Sequence, residues 1–414
     1  MNEVAESLKA TVYGRQALGA LLVLFLAIGV QACSAPTRLD SMAPEQAAQA
    51  IVIDTPNARF YPGEQAKAMF EEGLEALKRE MSYLGVTDPS QLPPANYLAM
   101  SGGGQDGAFG AGLLVGWTET GTRPEFKLVT GVSTGSLIAP FAFLGTEYDP
   151  VLKEIYTTIQ DSDVYSDRGF TAVFWDDALL DTSPLFGLIE GYVNQDMMAK
   201  IAAEYEKGRL LLIGTTNLDA RRPVIWNIGA IAASGHPGAL ELFRKILLAS
   251  AAMPMAFPPV MIDVEVDGVA YQEMHVDGGA VAQLFLYPPS VGQLVKEYEE
   301  QTGQTRERHA YIVRNGSLSS GWKTVERETL SIAGQAVSTM VYMSGVNDLY
   351  RVYFVCQADG VDYNLAYIGP DFDVPETDAL FDPVYMNALY EYGYNLGRNG
   401  YPWQKTPPYL ITSN

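Results

Sequence analysis

A serine framed by glycines, Gly131-Val132-Ser133-Thr134-Gly135, is the first group in this sequence whose type and spacing suggest chemistry. In a nucleophile elbow, a tight strand–turn–helix exposes the serine hydroxyl and the flanking glycines relieve crowding. The bare pattern arises often by chance in a chain with 39 glycines, so its surroundings decide its weight. An apolar strand over 126–130 precedes it, and an apolar helix over 136–144 follows. On that helix Leu137, Ile138, Phe141 and Phe143 read either as walls of an acyl pocket or as core.

A second segment, Ser101-Gly102-Gly103-Gly104-Gln105-Asp106-Gly107, lies between a short apolar strand at 96–100 and an apolar helix at 108–117. Several backbone N–H groups at a helix N-terminus make a ready anion site, because glycines allow close approach. A phosphate-binding P-loop fails here: it needs Lys-Ser or Lys-Thr where Ala108-Phe109 stand. Gly102-x-Gly104-x-x-Gly107 formally meets a dinucleotide fingerprint, yet the next strand ends in Thr130-Gly131 and not in an acidic residue. An oxyanion hole and a purely structural turn remain. On neighbouring parallel strands the two glycine turns would open at one sheet edge, where ligands bind in open α/β sheets.

A serine nucleophile needs a base. Met274-His275-Val276-Asp277-Gly278-Gly279 ends the second strand of a hairpin, with 260–266 and 269–276 flanking Asp267-Gly268. Asp followed by two glycines is also ordinary turn chemistry. The three histidines are His236, His275 and His309, and none sits in a late, glycine-flanked catalytic loop. A Ser–His–Asp triad using His309 or His236 stays open, as does an inert protein that keeps the fold.

Taken together, the three segments resemble the patatin-like phospholipases over roughly residues 95–280. That resemblance implies a three-layer α/β/α sandwich with a mostly parallel central sheet. It also implies a serine lipid acyl hydrolase, a phospholipase or esterase, that cleaves carboxylic esters through a Ser–Asp dyad and an acyl-enzyme. Carried over, Ser133 is the nucleophile and Asp277 the base. The amides around Gly102, Gly103 and Gly104 form the oxyanion hole, and Gly131 and Gly135 flank the elbow. Many members carry Arg or Lys two places after the last glycine of the run, where Asp106 stands here. The backbone donors survive that change, but a positive charge near the oxyanion is lost. No cofactor is implied, and three scattered histidines give no metal-ligand spacing.

The elements that must position these groups alternate between strand and helix, which argues for a layered, mostly parallel α/β sheet with an antiparallel edge. Periodicity at three and four from Ala66 to Leu84 marks a helix that Gly85 stops. Further strands fall at 209–214, 224–228 and 310–313, and a helix at 239–252. Pocket size and any lid are set by segments such as 161–195. No linker splits 61–414, which reads as one domain, and the Tyr-rich tail from 385 to 409 packs on the same core.

Of the 414 residues, 27 are Lys or Arg and 49 Asp or Glu, a net charge of −22. That balance argues against nucleic acid and against a basic patch on anionic lipid. Residues 17–30 form an apolar run of 14 after Lys9 and Arg15, too short to span a membrane and suited to a signal peptide. Val30-Gln31-Ala32-Cys33 at its end resembles a bacterial lipobox. The expectation is a signal peptide over 1–32, lipidation at Cys33 and a tether over 33–60, with the protein anchored at the cell envelope. Ser34 points to the outer membrane, on a sorting rule that holds in some Gram-negative bacteria. Cys356, in Tyr353-Phe354-Val355-Cys356, reads as a buried structural thiol.

Overall fold

Five short apolar runs fold as parallel strands and set the frame of the molecule. The computed structural model of the chain describes residues 37–410 except 48, 170–175, 320, 323, 376, 378 and 409. The expected signal peptide and Cys33 therefore lie outside the described residues. The strands are β1 (Arg59–Phe60), β2 (Ala95–Met100), β3 (Leu128–Val132), β4 (Leu210–Asn217), β5 (Arg222–Asn227), β6 (Val260–Val266), β7 (Val269–Asp277), β8 (Arg308–Ser317) and β9 (Asp362–Ile368). Their order across the sheet is β1-β5-β4-β3-β2-β8-β9, and β7 joins β6 to β4. Strands β9, β8, β2, β3 and β4 run parallel. The remainder, β5, β1 and the β6–β7 hairpin, is antiparallel.

Helices cover both faces, as a buried parallel sheet requires. The main ones are α1 (Ala66–Leu84), α2 (Gly107–Glu119), α3 (Thr134–Leu144), α4 (Ala239–Ser250), α5 (Thr329–Asp359) and α6 (Pro383–Arg398). Successive strand residues feed opposite layers. Leu98, Met100, Leu211 and Ile213 pack with α2, α3, α4 and α6, whereas Ala99 and Leu212 pack with α1 and α5. Gly85 closes α1 in the left-handed region at φ 68°.

The tail packs as expected, and closely. A Cβ on Gly112 or Gly116 of α2 would run into the carbonyl oxygens of Tyr390 and Tyr394 on α6, so small residues let the two backbones touch. Cys356 is fully buried on α5, and burial pushes its thiol up to about 12.

The expected tether over 33–60 differs from what is observed within the described residues. Ile51 bridges Glu265, Arg38 pairs with Asp219, and Arg59–Phe60 joins the sheet beside β5. The domain thus begins well before residue 61. Burial explains this: Val52, Ala58 and Phe60 are apolar and find the core.

Candidate active site

Sheet register brings the three chemical segments together. Met100 pairs with Gly131, and Val132 with Gly214, so the ends of β2 and β3 lie side by side. Strand β3 stops at Val132, which leaves the edge of β4 beyond Gly214 open. Strand β7 occupies that edge in the antiparallel sense and pairs Thr215 with Asp277. Ser133, the next residue after β3, therefore meets Asp277, the last residue of β7.

The turn is narrower than the expected one. The strand runs through Gly131 and Val132, and the helix begins at Thr134, so Ser133 alone makes the corner, at φ 54° and ψ −129°. Few side chains tolerate that conformation, and such strain concentrates at functional sites. A Cβ on Gly135 would collide with the Met100 and Ser101 carbonyl oxygens, and one on Gly131 with the backbone of Gly135. The Ser133 amide donates to Ser250 Oγ at 3.0 Å, and Ser250 Oγ donates to the Gly214 carbonyl at 2.7 Å.

Asp277 is buried, and the Ser133 side chain beside it favours its ionised form. The Asp277 carboxylate accepts the Gly279 amide at 2.6 Å. Burial dominates its titration and pushes the pKa up to about 6, against the lowering by Ser133 and by the Gly279 amide. A carboxylate of ordinary pKa is a poor base for a hydroxyl; this one is better matched to neutral pH.

The glycine loop lies against the serine: a Cβ on Gly102 would stand 3.1 Å from Ser133 Cβ. Not all three expected donors are free, however. Gly102 N–H donates to the Gln283 carbonyl at 3.0 Å. Gly103 and Gly104 lead into a short helical turn, Gly104–Asp106, so their amides belong to the set that a helix start leaves without intrahelical partners. Both glycines line a cavity of about 510 Å³ that also holds Ser133 and Asp277. Apolar side chains wall it, among them Leu137, Phe141, Leu185, Leu188, Ile189 and Phe257. The expected wall residues thus divide: Leu137 and Phe141 face the cavity, while Ile138 and Phe143 are core.

Residues 98–288 match the family model for patatin-like phospholipase. Over that stretch the chain is similar to the patatin-like phospholipases. That similarity supports lipid acyl hydrolysis in general terms, with a lipid as substrate. Among solved structures, VipD from Legionella pneumophila is similar over 75% of this chain and 67% of its own, at 11% identity and a TM-score of 0.37. No match is found among curated proteins.

None of the three histidines is hydrogen-bonded to Ser133 among the described residues. His309 pairs with Asn96 at the start of β2, six residues below the level of Ser133, or about 20 Å at 3.3 Å per residue. His236 precedes the N-terminus of α4, whereas Ser250 at the other end touches Ser133. His275 is fully buried, with Nδ1 2.9 Å from Thr215 Oγ1 and Nε2 3.1 Å from Glu273. Burial holds its pKa below the ordinary value.

Two residues at the end of β8 hold the glycine loop, and sequence reasoning missed both. Asn315 N–H donates to Ser101 Oγ at 2.8 Å, and its side chain links the Ser101 carbonyl to Gly110 N–H of α2. Arg314 is buried and its Nη1 lies 3.3 Å from the Gly102 carbonyl oxygen. Its Nε has no partner among the described residues. A positive charge thus reaches the loop from another strand, although Asp106 stands where many members are basic. Asp106 itself accepts the Tyr385 hydroxyl at 2.8 Å. The available signal was position: polar residues directly after the apolar run 310–313 fall at the carboxyl end of a parallel strand, where sites form.

Proposed function

We propose that this protein is a serine lipid acyl hydrolase in which Ser133 and Asp277 act as a catalytic dyad. The observation that carries this reading is the juxtaposition of Ser133 with a buried carboxylate in the lining of an apolar cavity. Asp277 takes the Ser133 proton as Oγ attacks the ester carbonyl. The developing oxyanion is met by the amides of Gly103 and Gly104, and the tetrahedral adduct collapses as Asp277 returns the proton to the leaving alkoxide. Water then gives a proton to Asp277 and attacks the acyl-serine, releasing the fatty acid and restoring Ser133. The cavity walls favour an aliphatic acyl chain over a polar one.

A serine-directed fluorophosphonate tests the nucleophile. Labelling should map to Ser133 and vanish in Ser133→Ala; an unlabelled Ser133 in folded protein would remove the enzyme reading.

We further propose that Cys33 is acylated after removal of residues 1–32, which would anchor the protein to the outer membrane of the cell envelope. The 14-residue apolar run and the lipobox-like Val30-Gln31-Ala32-Cys33 support this, and several acyl chains on one residue suffice for stable attachment without basic residues. Incorporation of labelled palmitate should be lost in Cys33→Ser; incorporation that survives the substitution would refute the anchor.

A further inference from the structure

Among the described residues, nothing packs the first turns of helix α5 into the core. No residue from Thr329 to Ser344 is buried, and Gly345 is the first that is. Four turns of helix are marginal in water on their own, because packing of an apolar face supplies most helical stability. This stretch has such a face. Leu330, Ala333, Val337, Met340 and Met343 recur at three and four, so they share one side. Leu330, Met340 and Met343 are exposed, as is Ile332, and Trp322 just before the helix is 98% exposed. No residue from Thr329 to Asn347 is charged, in a chain of net charge −22.

Its location narrows what could cover it. Ser338 lines the cavity that holds Ser133 and Asp277. Met253 and Leu380 line the same cavity and are themselves exposed. Ser344 Oγ reaches the carbonyl of exposed Val281 at 3.4 Å. The cavity therefore has exposed apolar residues, Met253 and Leu380, on its border, and the uncharged half of α5 completes this rim with Ser338 turned inward and Met340 and Met343 outward.

We propose that this rim docks on a net-neutral lipid surface, with the first four turns of α5 lying in the headgroup region. The proposal rests on the cavity being a lipid-ester site. A lipid that leaves its aggregate for Ser133 would otherwise cross water, and an apolar rim seated in the aggregate removes that crossing. The half-helix offers no Lys or Arg to anionic headgroups, and the acidic chain is repelled by them. Zwitterionic lipid is the surface that remains.

An environment-sensitive fluorophore on Met340→Cys tests docking independently of catalysis and of the anchor. The full-length chain carries Cys33→Ser, and Cys356 is buried and does not label. Phosphatidylcholine vesicles should raise and blue-shift the emission at position 340, but not that of a probe on exposed Tyr83→Cys of α1. No change at 340, or the same change without vesicles as protein concentration rises, would overturn the proposal, the latter in favour of a second copy. In parallel, Met340→Glu with Met343→Glu should slow hydrolysis of vesicle lipid by about tenfold while a soluble short-chain ester is cleaved normally. Equal loss on both substrates would also overturn it. If wild type hydrolyses neither substrate but the probe still enters lipid, the catalytic reading fails and the docking surface stands.

Discussion

The Asp277 carboxylate meets Ser133 across the gap that β3 leaves along the edge of β4. Ser133 follows the end of a parallel strand and Asp277 ends an antiparallel one, and Thr215 of β4 lies level with both. A short β3 is what makes room for the carboxylate.

In the proposed dyad, a base of pKa about 6 fixes the acid limb of the pH profile. In the free enzyme kcat/KM for a soluble ester should fall tenfold per pH step below about 6, following one ionisation. A profile flat down to pH 4.5 would mean that Asp277 is not the titrating base.

The same burial affects stability. Asp277 binds its proton more tightly folded than unfolded, so its contribution favours folding fully below about pH 4 and is lost as pH rises through about 6. Above that, the charged form opposes folding by roughly 3 kcal/mol at most. Asp277→Asn should therefore be inactive yet unfold at higher temperature than wild type at pH 8, with the advantage gone at pH 4. Calorimetry at the two pH values checks it; a variant less stable at pH 8 contradicts it.

In the proposed mechanism Arg314 acts on the oxyanion through a peptide group. Its guanidinium is hydrogen-bonded to the Gly102 carbonyl, and the amide of that same planar unit is Gly103 N–H, which points the opposite way. Fixing the carbonyl aims and polarises the donor. Arg314→Met should lower kcat by about tenfold to a hundredfold, less than the 10²–10³ typical of deleting a donor, and leave KM nearly unchanged. Arg314→Lys should recover part of the rate. A lower melting temperature with unaltered kcat would make Arg314 merely structural.

Much of this site is legible in the sequence because it is local. The elbow, the glycine loop and the hairpin each lie within a few residues, and the hairpin strands are observed at Val260–Val266 and Val269–Asp277, one residue beyond the reading. The boundaries of the elbow were not legible, since only pairing of Val132 with Gly214 keeps Gly131 and Val132 in the strand. Arg314 and Asn315 lie more than 200 residues from the loop they hold, and nothing local marks that contact. Strand β9 and the solvent half of α5 escaped for similar reasons: one is defined by pairing with β8, the other by what does not pack on it.

The α2–α6 contact gives a stability test remote from the chemistry. Gly116→Ala places a methyl on the Tyr394 carbonyl and should cost about 1–3 kcal/mol through overpacking. Urea denaturation should show a lower midpoint, with esterase activity per folded molecule unchanged. An unaltered midpoint would mean that the two backbones are farther apart.

The most direct test is hydrolysis of p-nitrophenyl esters over a range of chain lengths by wild type, Ser133→Ala, Asp277→Asn and His309→Ala. The dyad requires the first two variants to lose about 10³-fold or more in kcat and His309→Ala to match wild type, with longer chains preferred by the apolar cavity. An Asp277→Asn enzyme with wild-type kcat, or a dead His309→Ala enzyme that remains folded, would contradict the account.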